Sequence, residues 1–255
     1  MNRVCAIVPV YNHGAFVGSV VAALLRHGLP VVLVDDGSEA QCAAVLDALA
    51  GSAATVRLVR LPRNGGKGAA VMAGLKAAAS AGFTHALQVD ADGQHALEDV
   101  PRFVVLAHQR PDDVICGQPV FDASVPRKRL YLRYLTHVMV WVNTMSLELV
   151  DSMCGFRMYP LEQTLSVIHA EPPGRRMDFD VEVLVRLYWR GLSVSWVPTR
   201  VTYPAGGVSQ FRLFRDNVLI TAMHTRLFFG MLWRAPQLLA RRRRRAHVAG
   251  SQVSA

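Results

Sequence analysis

The stretch His85-Ala86-Leu87-Gln88-Val89-Asp90-Ala91-Asp92-Gly93-Gln94-His95 runs from a largely apolar segment directly into acidic and glycine residues. A short apolar run bounded by turn residues reads as a buried β-strand. The same grammar recurs along the chain. Residues 4–10 precede Tyr11-Asn12-His13-Gly14, residues 31–34 precede Asp35-Asp36-Gly37-Ser38, and residues 56–61 lead into Pro62. A further short run covers 113–116. Between these runs, helical spacing covers 16–27, 41–49, 69–81 and 98–108. Strand and helix alternate, which predicts an α/β fold with a mostly parallel sheet flanked by helices on both faces. Functional loops in such folds leave the carboxyl ends of parallel strands. Asp35-Asp36 and Asp90-Ala91-Asp92 both fall there.

Composition narrows the classes. The 255 residues are 51% hydrophobic and 18% charged, which excludes a mainly disordered chain. Cys5, Cys42, Cys116 and Cys154 are widely spaced with no CxxC pair, against a zinc knuckle or a disulfide scaffold. The net charge of +9 is unevenly spread. The first 216 residues carry 21 Lys+Arg against 19 Asp+Glu, and the remaining 39 carry seven arginines and no acid. The basicity is therefore a C-terminal feature and does not describe a nucleic-acid-binding domain. The Arg241 to Arg245 block suits a solvated tail or an anionic lipid surface. The N-terminal apolar run is too short for an export signal, so the expectation is a cytoplasmic chain.

Residues 130–150 and 218–240 are apolar but punctuated by Arg133, His137 and Glu148 and by His224, Arg226 and Arg234. The pattern predicts amphipathic helices lying in a membrane surface, with arginines snorkelling toward headgroups. Cover for the catalytic domain or a contact between copies in a homo-oligomer is the competing reading. The expected division is a catalytic domain over 1–216 and an amphipathic helix with a basic tail over 217–255.

Asn64-Gly65-Gly66-Lys67-Gly68 opens an alanine-rich helix. Glycines admit close backbone approach, helix-start N–H groups meet anions, and Lys67 adds positive charge for a diphosphate. Neither a GxxxxGK[ST] nor a GxGxxG pattern is present, which weighs against an ATPase and a dinucleotide enzyme. Two carboxylates two residues apart, Asp90 and Asp92, can converge on one ion, and hard oxygen ligands suit Mg²⁺ or Mn²⁺. Such an ion neutralises charge on a departing nucleotide diphosphate. Asp36 is the preferred ribose or base contact. His95, beside the pair, is left unassigned as a ligand.

Taken together, Ile7-Val8-Pro9-Val10-Tyr11-Asn12, the 31–38 stretch, the glycine cluster, the 87–95 stretch, Cys154-Gly155-Phe156-Arg157 and residues 177–191 resemble glycosyltransferase family 2. The resemblance covers about residues 4–205 and is nearest to the polyprenyl-phosphate mannosyl- and glucosyltransferase branch. Small members associated with bacterial glycolipids and aryl-polyene lipids are also similar. It implies a nucleotide-diphospho-sugar transferase (GT-A-like) fold and inverting, metal-assisted sugar transfer from a nucleotide-diphospho-sugar donor. By that resemblance Pro9, Tyr11 and Asp36 line the nucleotide pocket, and Asp90, Asp92 and Gln94 surround the metal. His13 departs from the acidic residue often found there. The absence of QxxRW disfavours synthesis of a long polysaccharide.

The second half should supply the acceptor side. Asp180, near the start of a predicted helix, is either its cap or a carboxylate facing the acceptor. An acceptor hydroxyl needs such a base, whereas an acceptor phosphate needs cations. A guanidinium grips phosphate through paired hydrogen bonds, and Arg157 and Arg200 are the expected acceptor contacts because both lie in segments that resemble the family's acceptor half. Gly206-Gly207 suggests a closing loop or a simple turn, and Ser209, Phe211, Arg212 and Asp216 either belong to that loop or begin the membrane-facing helix. The expected acceptor is lipid-linked or apolar, and the expected location is peripheral, on the cytoplasmic face of a membrane. A nucleotidyltransferase and a non-catalytic nucleotide-sugar-binding scaffold are the alternatives.

Overall fold

The computed structural model describes residues 2–120, 127–202 and 213–253. Its strands are β1 (Val4–Val10), β2 (Val31–Asp35), β3 (Val56–Arg60), β4 (His85–Gln88), β5 (Val114–Val120), β6 (Arg157–Pro160) and β7 (Val194–Arg200). Its helices are α1 (Gly14–Arg26), α2 (Ala40–Ser52), α3 (Lys67–Ser80), α4 (Val100–Gln109), α5 (Arg127–Thr144), α6 (Leu161–Ala170), α7 (Phe179–Arg190) and α8 (Leu213–Val253). The strands form one sheet in the order β3-β2-β1-β4-β6-β5-β7. Pairing is parallel except where β6 meets β4 and β5, so β6 alone is reversed.

Period-two burial builds both faces. Along β1, Cys5 and Ile7 join one core and Ala6, Val8 and Val10 the other. The first core gathers α3, α5, α6, α7 and α8, and the second gathers α1, α2 and α4. A strand buried on both sides needs a continuous apolar run, which is what β1 and β2 supply. Leu87 on β4 is fully buried in the second core. Its truncation to Ala is worth about 2–5 kcal/mol.

Helix α3 is dense in alanine, the best helix former. Its small residues also let it lie close on the sheet, where a Cβ on Gly74 would stand 3.1 Å from Val34 Cγ2. Helix α7 stops at Gly191, whose φ of 99° is left-handed and suits glycine. The Leu192 N–H then reaches back to Leu187 O at 3.2 Å and closes the end.

The expected boundary between residues 216 and 217 falls inside α8. Met223, Leu227, Met231 and Leu238 of that helix belong to the same core as α3 and α7. Arg226 and Arg234 do not snorkel outward as expected. They turn to Glu182 (2.9 Å) and Glu171 (2.6 Å), because buried or half-buried acids on the α6–α7 side need counterions. The outward side of α8 is therefore the aromatic one, with Phe229 65% and Trp233 86% exposed. Among the described residues no helix is long and apolar enough to cross a membrane.

Candidate active site

Strands β1, β2 and β3 wind to one side, and β4 is laid on the other side of β1. The crevice outside the carboxyl ends at such a reversal is where α/β sheets bind ligands. Asp35 ends β2 in this region but is turned to structure. Burial opposes its ionisation, yet hydrogen bonds from Ser38 and Arg60 hold its carboxyl below the usual range.

Asp36 accepts the Gly65 N–H at 2.7 Å and the Gly66 N–H at 2.9 Å, so it fastens the glycine turn to the end of β2. Burial still pushes its carboxyl up. Gly66 has a φ of 98°, and a Cβ there would lie 2.7 Å from Arg175 O. Only glycine fits that turn, and the turn sets Lys67 as the first residue of α3.

Lys67 is the centre of the site. Its ammonium sits astride the Asp90 carboxylate, 2.8 Å from Oδ1 and 2.9 Å from Oδ2, and 2.9 Å from Asp180 Oδ2. Asp90 follows β4, and Asp180 lies in the first turn of α7. Burial disfavours every charge here, but the two carboxylates outweigh it and raise the Lys67 ammonium above its ordinary range. Against the same burial, the Lys67 charge and His95 lower the Asp90 carboxyl. Asp92 goes the other way, pushed up by burial and by the Asp90 charge. Gly155 completes the packing, since a Cβ there would meet Asp90 Oδ2 at 2.7 Å and Lys67 Nζ at 2.8 Å.

The loop after β4 is tied down locally. Asp92 Oδ1 accepts the Gln94 N–H at 3.1 Å, and Gln94 O accepts the Thr202 N–H at 3.0 Å. His95 bridges to Val201, stacks on Phe156 at 5.1 Å between ring centroids, and puts Nε2 3.6 Å from Asp90 Oδ2. The end of β7, with exposed Arg200, is thereby brought beside the acidic loop. Pro9 and Tyr11 are half-buried at the carboxyl end of β1, Pro9 in register with Val34.

Arg157 is placed differently from the expectation of an acceptor contact. It is 0% exposed, and its guanidinium donates to the main-chain oxygens of Asp180 (2.8 Å), Cys154 (3.2 Å) and Ser152 (3.3 Å). A guanidinium enclosed on β6 by carbonyls cannot meet an incoming phosphate; it holds the Asp180 backbone instead. Asp180 is not the helix cap either, because Asp178 occupies that position. Arg133 is engaged by Asp151, with Nε 2.7 Å from Oδ2. Gly206, Gly207, Ser209, Phe211 and Arg212 lie outside the described residues. Sequence reasoning missed Gln88 and Tyr159, which pack against Asp180 and Arg157. The available signal was a glutamine at the end of a short buried strand, just ahead of the acidic pair.

A sheet whose winding reverses at β1/β4, with paired carboxylates and a lysine at that point, defines an α/β protein with an acidic site at its strand ends. The family described as glycosyl transferase family 2 matches residues 5–165, and the chain belongs to that family. A polyprenol monophosphomannose synthase from Mycolicibacterium smegmatis is 28% identical over 221 residues, covering 82% of this chain and 81% of that protein. A dolichyl-phosphate beta-glucosyltransferase from Dictyostelium discoideum is 28% identical over 175 residues, covering 63% of this chain. The match spans about half, 51%, of that relative's length. Among solved structures, glucosyl-3-phosphoglycerate synthase from Mycobacterium tuberculosis in complex with Mn²⁺, UDP-glucose and phosphoglyceric acid shares the fold. Its TM-score is 0.63 at 15% identity, over 91% of this chain and 79% of that one.

Proposed function

We propose that the chain transfers a sugar, with inversion, from a nucleotide-diphospho-sugar to a lipid-linked acceptor of the polyprenyl-phosphate class for which its relatives are named. The observation that carries the reading is the Lys67 ammonium held between Asp90 and Asp180. One cation joins the strand end that faces the donor to the helix start that faces the acceptor. The acceptor oxygen attacks the anomeric carbon, the bond from that carbon to the diphosphate oxygen breaks, and the nucleoside diphosphate leaves. Lys67 stands where the negative charge of the leaving diphosphate grows. Where the attacking oxygen is a hydroxyl, Asp180 takes its proton. Where it is a phosphate, no proton need be removed, and Asp180 serves to hold Lys67.

A divalent ion fits the acidic loop. Asp90 Oδ1 meets Lys67 Nζ at 2.8 Å but accepts no other donor among the described residues, and Asp92 is crowded by the Asp90 charge. Both are relieved by a cation, and both are hard oxygen ligands suited to Mg²⁺ or Mn²⁺. Asp90, Asp92 and Gln94 would hold it. Among the described residues no three His, Cys, Asp or Glu side chains form a closed cluster, which leaves the further ligands to donor phosphates and water. When bound, the ion supplies positive charge to the leaving diphosphate. Pro9 and Tyr11 flank the nucleotide, Asp36 offers its remaining lone pairs to ribose or base, and Arg200 faces the acceptor.

The exposed Phe229, Leu232, Trp233 and Leu239 of α8 supply an apolar face for a bilayer, and the arginine run that follows complements anionic headgroups. On this reading the protein is peripheral, on the cytoplasmic face where nucleotide sugars are found. The test is incubation with a panel of nucleotide sugars, Mg²⁺ or Mn²⁺ and a short polyprenyl phosphate. Mass spectrometry of the lipid should show one added sugar; absence of any lipid product with every donor contradicts the reading.

A further inference from the structure

We infer that Gln88 is a positioning residue that sets the orientation of the Asp180 carboxylate, and that it does so through a closed ring of buried hydrogen bonds. Gln88 is 0% exposed and ends a strand whose other side chains are buried. Its Nε2 donates to Asp180 Oδ1 at 3.0 Å, and its Oε1 accepts the Tyr159 hydroxyl at 3.2 Å. The Tyr159 oxygen accepts from Arg157 Nη1 at 3.4 Å, and the same nitrogen donates to Asp180 O at 2.8 Å. The ring begins on the Asp180 side chain and returns to its main chain.

The direction of every bond in this ring follows from chemistry. A guanidinium can only donate, so the tyrosine oxygen must accept from it. The tyrosine proton then has Gln88 Oε1 to go to, and the amide can present only its NH₂ to Asp180. That leaves Asp180 Oδ1 occupied and Oδ2 aimed at Lys67, 2.9 Å away. Gln88 is the last residue of β4 and Asp90 comes two residues later, so one side chain ties the strand end that leads to Asp90 to the Asp180 carboxylate that shares Lys67 with it. An apolar residue would fill the strand at less desolvation cost; a connected set of buried hydrogen bonds is what fixes a single geometry.

The inference rests on the functional reading above, in which Asp180 and Lys67 work at the transfer site. It is tested in the full chain with Gln88→Met, which keeps the length and removes both hydrogen bonds. Competent sites are counted by calorimetric titration with nucleoside diphosphate, and turnover is expressed per competent site. The expected result is a kcat lower by about 10- to 100-fold per site with an unchanged KM for the donor. A residue that merely fills space would lower the number of competent sites and leave kcat per site alone, and that result overturns the inference. If Gln88→Met does not fold, Tyr159→Phe cuts the same ring. A several-fold drop in kcat per site is then expected, and an unchanged value overturns the inference. Asp180→Asn is measured alongside. Full turnover in that variant removes the working role of Asp180 at the transfer site, and this inference with it. Impaired Asp180→Asn beside unimpaired Gln88→Met removes this inference alone.

Discussion

Lys67 Nζ lies 2.9 Å from Asp180 Oδ2, so the first residue of α3 reaches the first turn of α7. The contact crosses from the half of the chain that carries the glycine turn to the half that carries α7. The same ammonium rests on Asp90, so one cation offsets the repulsion between two carboxylates only while it is in place. Lys67→Met leaves two half-buried or buried carboxylates facing each other. The account expects a loss of about 2–3 kcal/mol in urea denaturation without divalent cation. Mn²⁺ should restore part of it; a variant as stable as the parent would contradict the ion-pair account.

Gly155 offers a test that leaves every charge in the site untouched. A Cβ at that position meets Asp90 Oδ2 and Lys67 Nζ at less than 3 Å. Gly155→Ala should displace the pair and lower kcat by about 10²-fold, with little change in melting temperature. Transfer assays beside thermal melts separate the two effects, and full activity would mean the pair is not at the reacting centre.

His224 on α8 is buried against α5, with Nδ1 3.3 Å from Asn143 Nδ2, and burial lowers its pKa to about 4. Above the ordinary histidine range both folded and unfolded states are neutral. As pH falls through about 6.5 the unfolded chain takes up a proton that the folded chain refuses until about pH 4. Stability therefore falls across that window, by as much as about 3 kcal/mol for this group. His85, also lowered by burial, contributes in the same sense. His224→Gln should flatten the acid limb measured by denaturant titration; an identical slope would contradict it.

Phe229 and Trp233 point away from the core, so their replacement costs the fold little. Phe229→Ser with Trp233→Ser should leave the melting temperature unchanged and weaken binding to vesicles of anionic lipid by at least about tenfold. Retention of full vesicle binding would remove α8 from the proposed membrane contact.

The β-α rhythm was legible because burial on both sheet faces forces continuous apolar runs, and the helices between them keep helical spacing. Of the strands, β6 and β7 were the hard ones. The short β6 enters the sequence reading only through Arg157 at the end of a stretch that carries the family resemblance, and its reversal comes from tertiary pairing with β4 and β5. Asp90 and Asp92 were readable as strand-end carboxylates. Arg157 was misread because a lone arginine is usually at the surface, and nothing local reveals a guanidinium enclosed by three carbonyls. The inward turn of Arg226 and Arg234 was hidden for a related reason: their partners, Glu182 and Glu171, lie far away in sequence.

The most direct measurement is nucleoside diphosphate release from a nucleotide sugar, with and without Mg²⁺ or Mn²⁺, in the parent and in Asp90→Asn/Asp92→Asn. The account predicts cation-dependent release by the parent and a loss of at least about 10³-fold in the double variant. Release that needs no cation, or that survives the loss of both carboxylates unchanged, would contradict it.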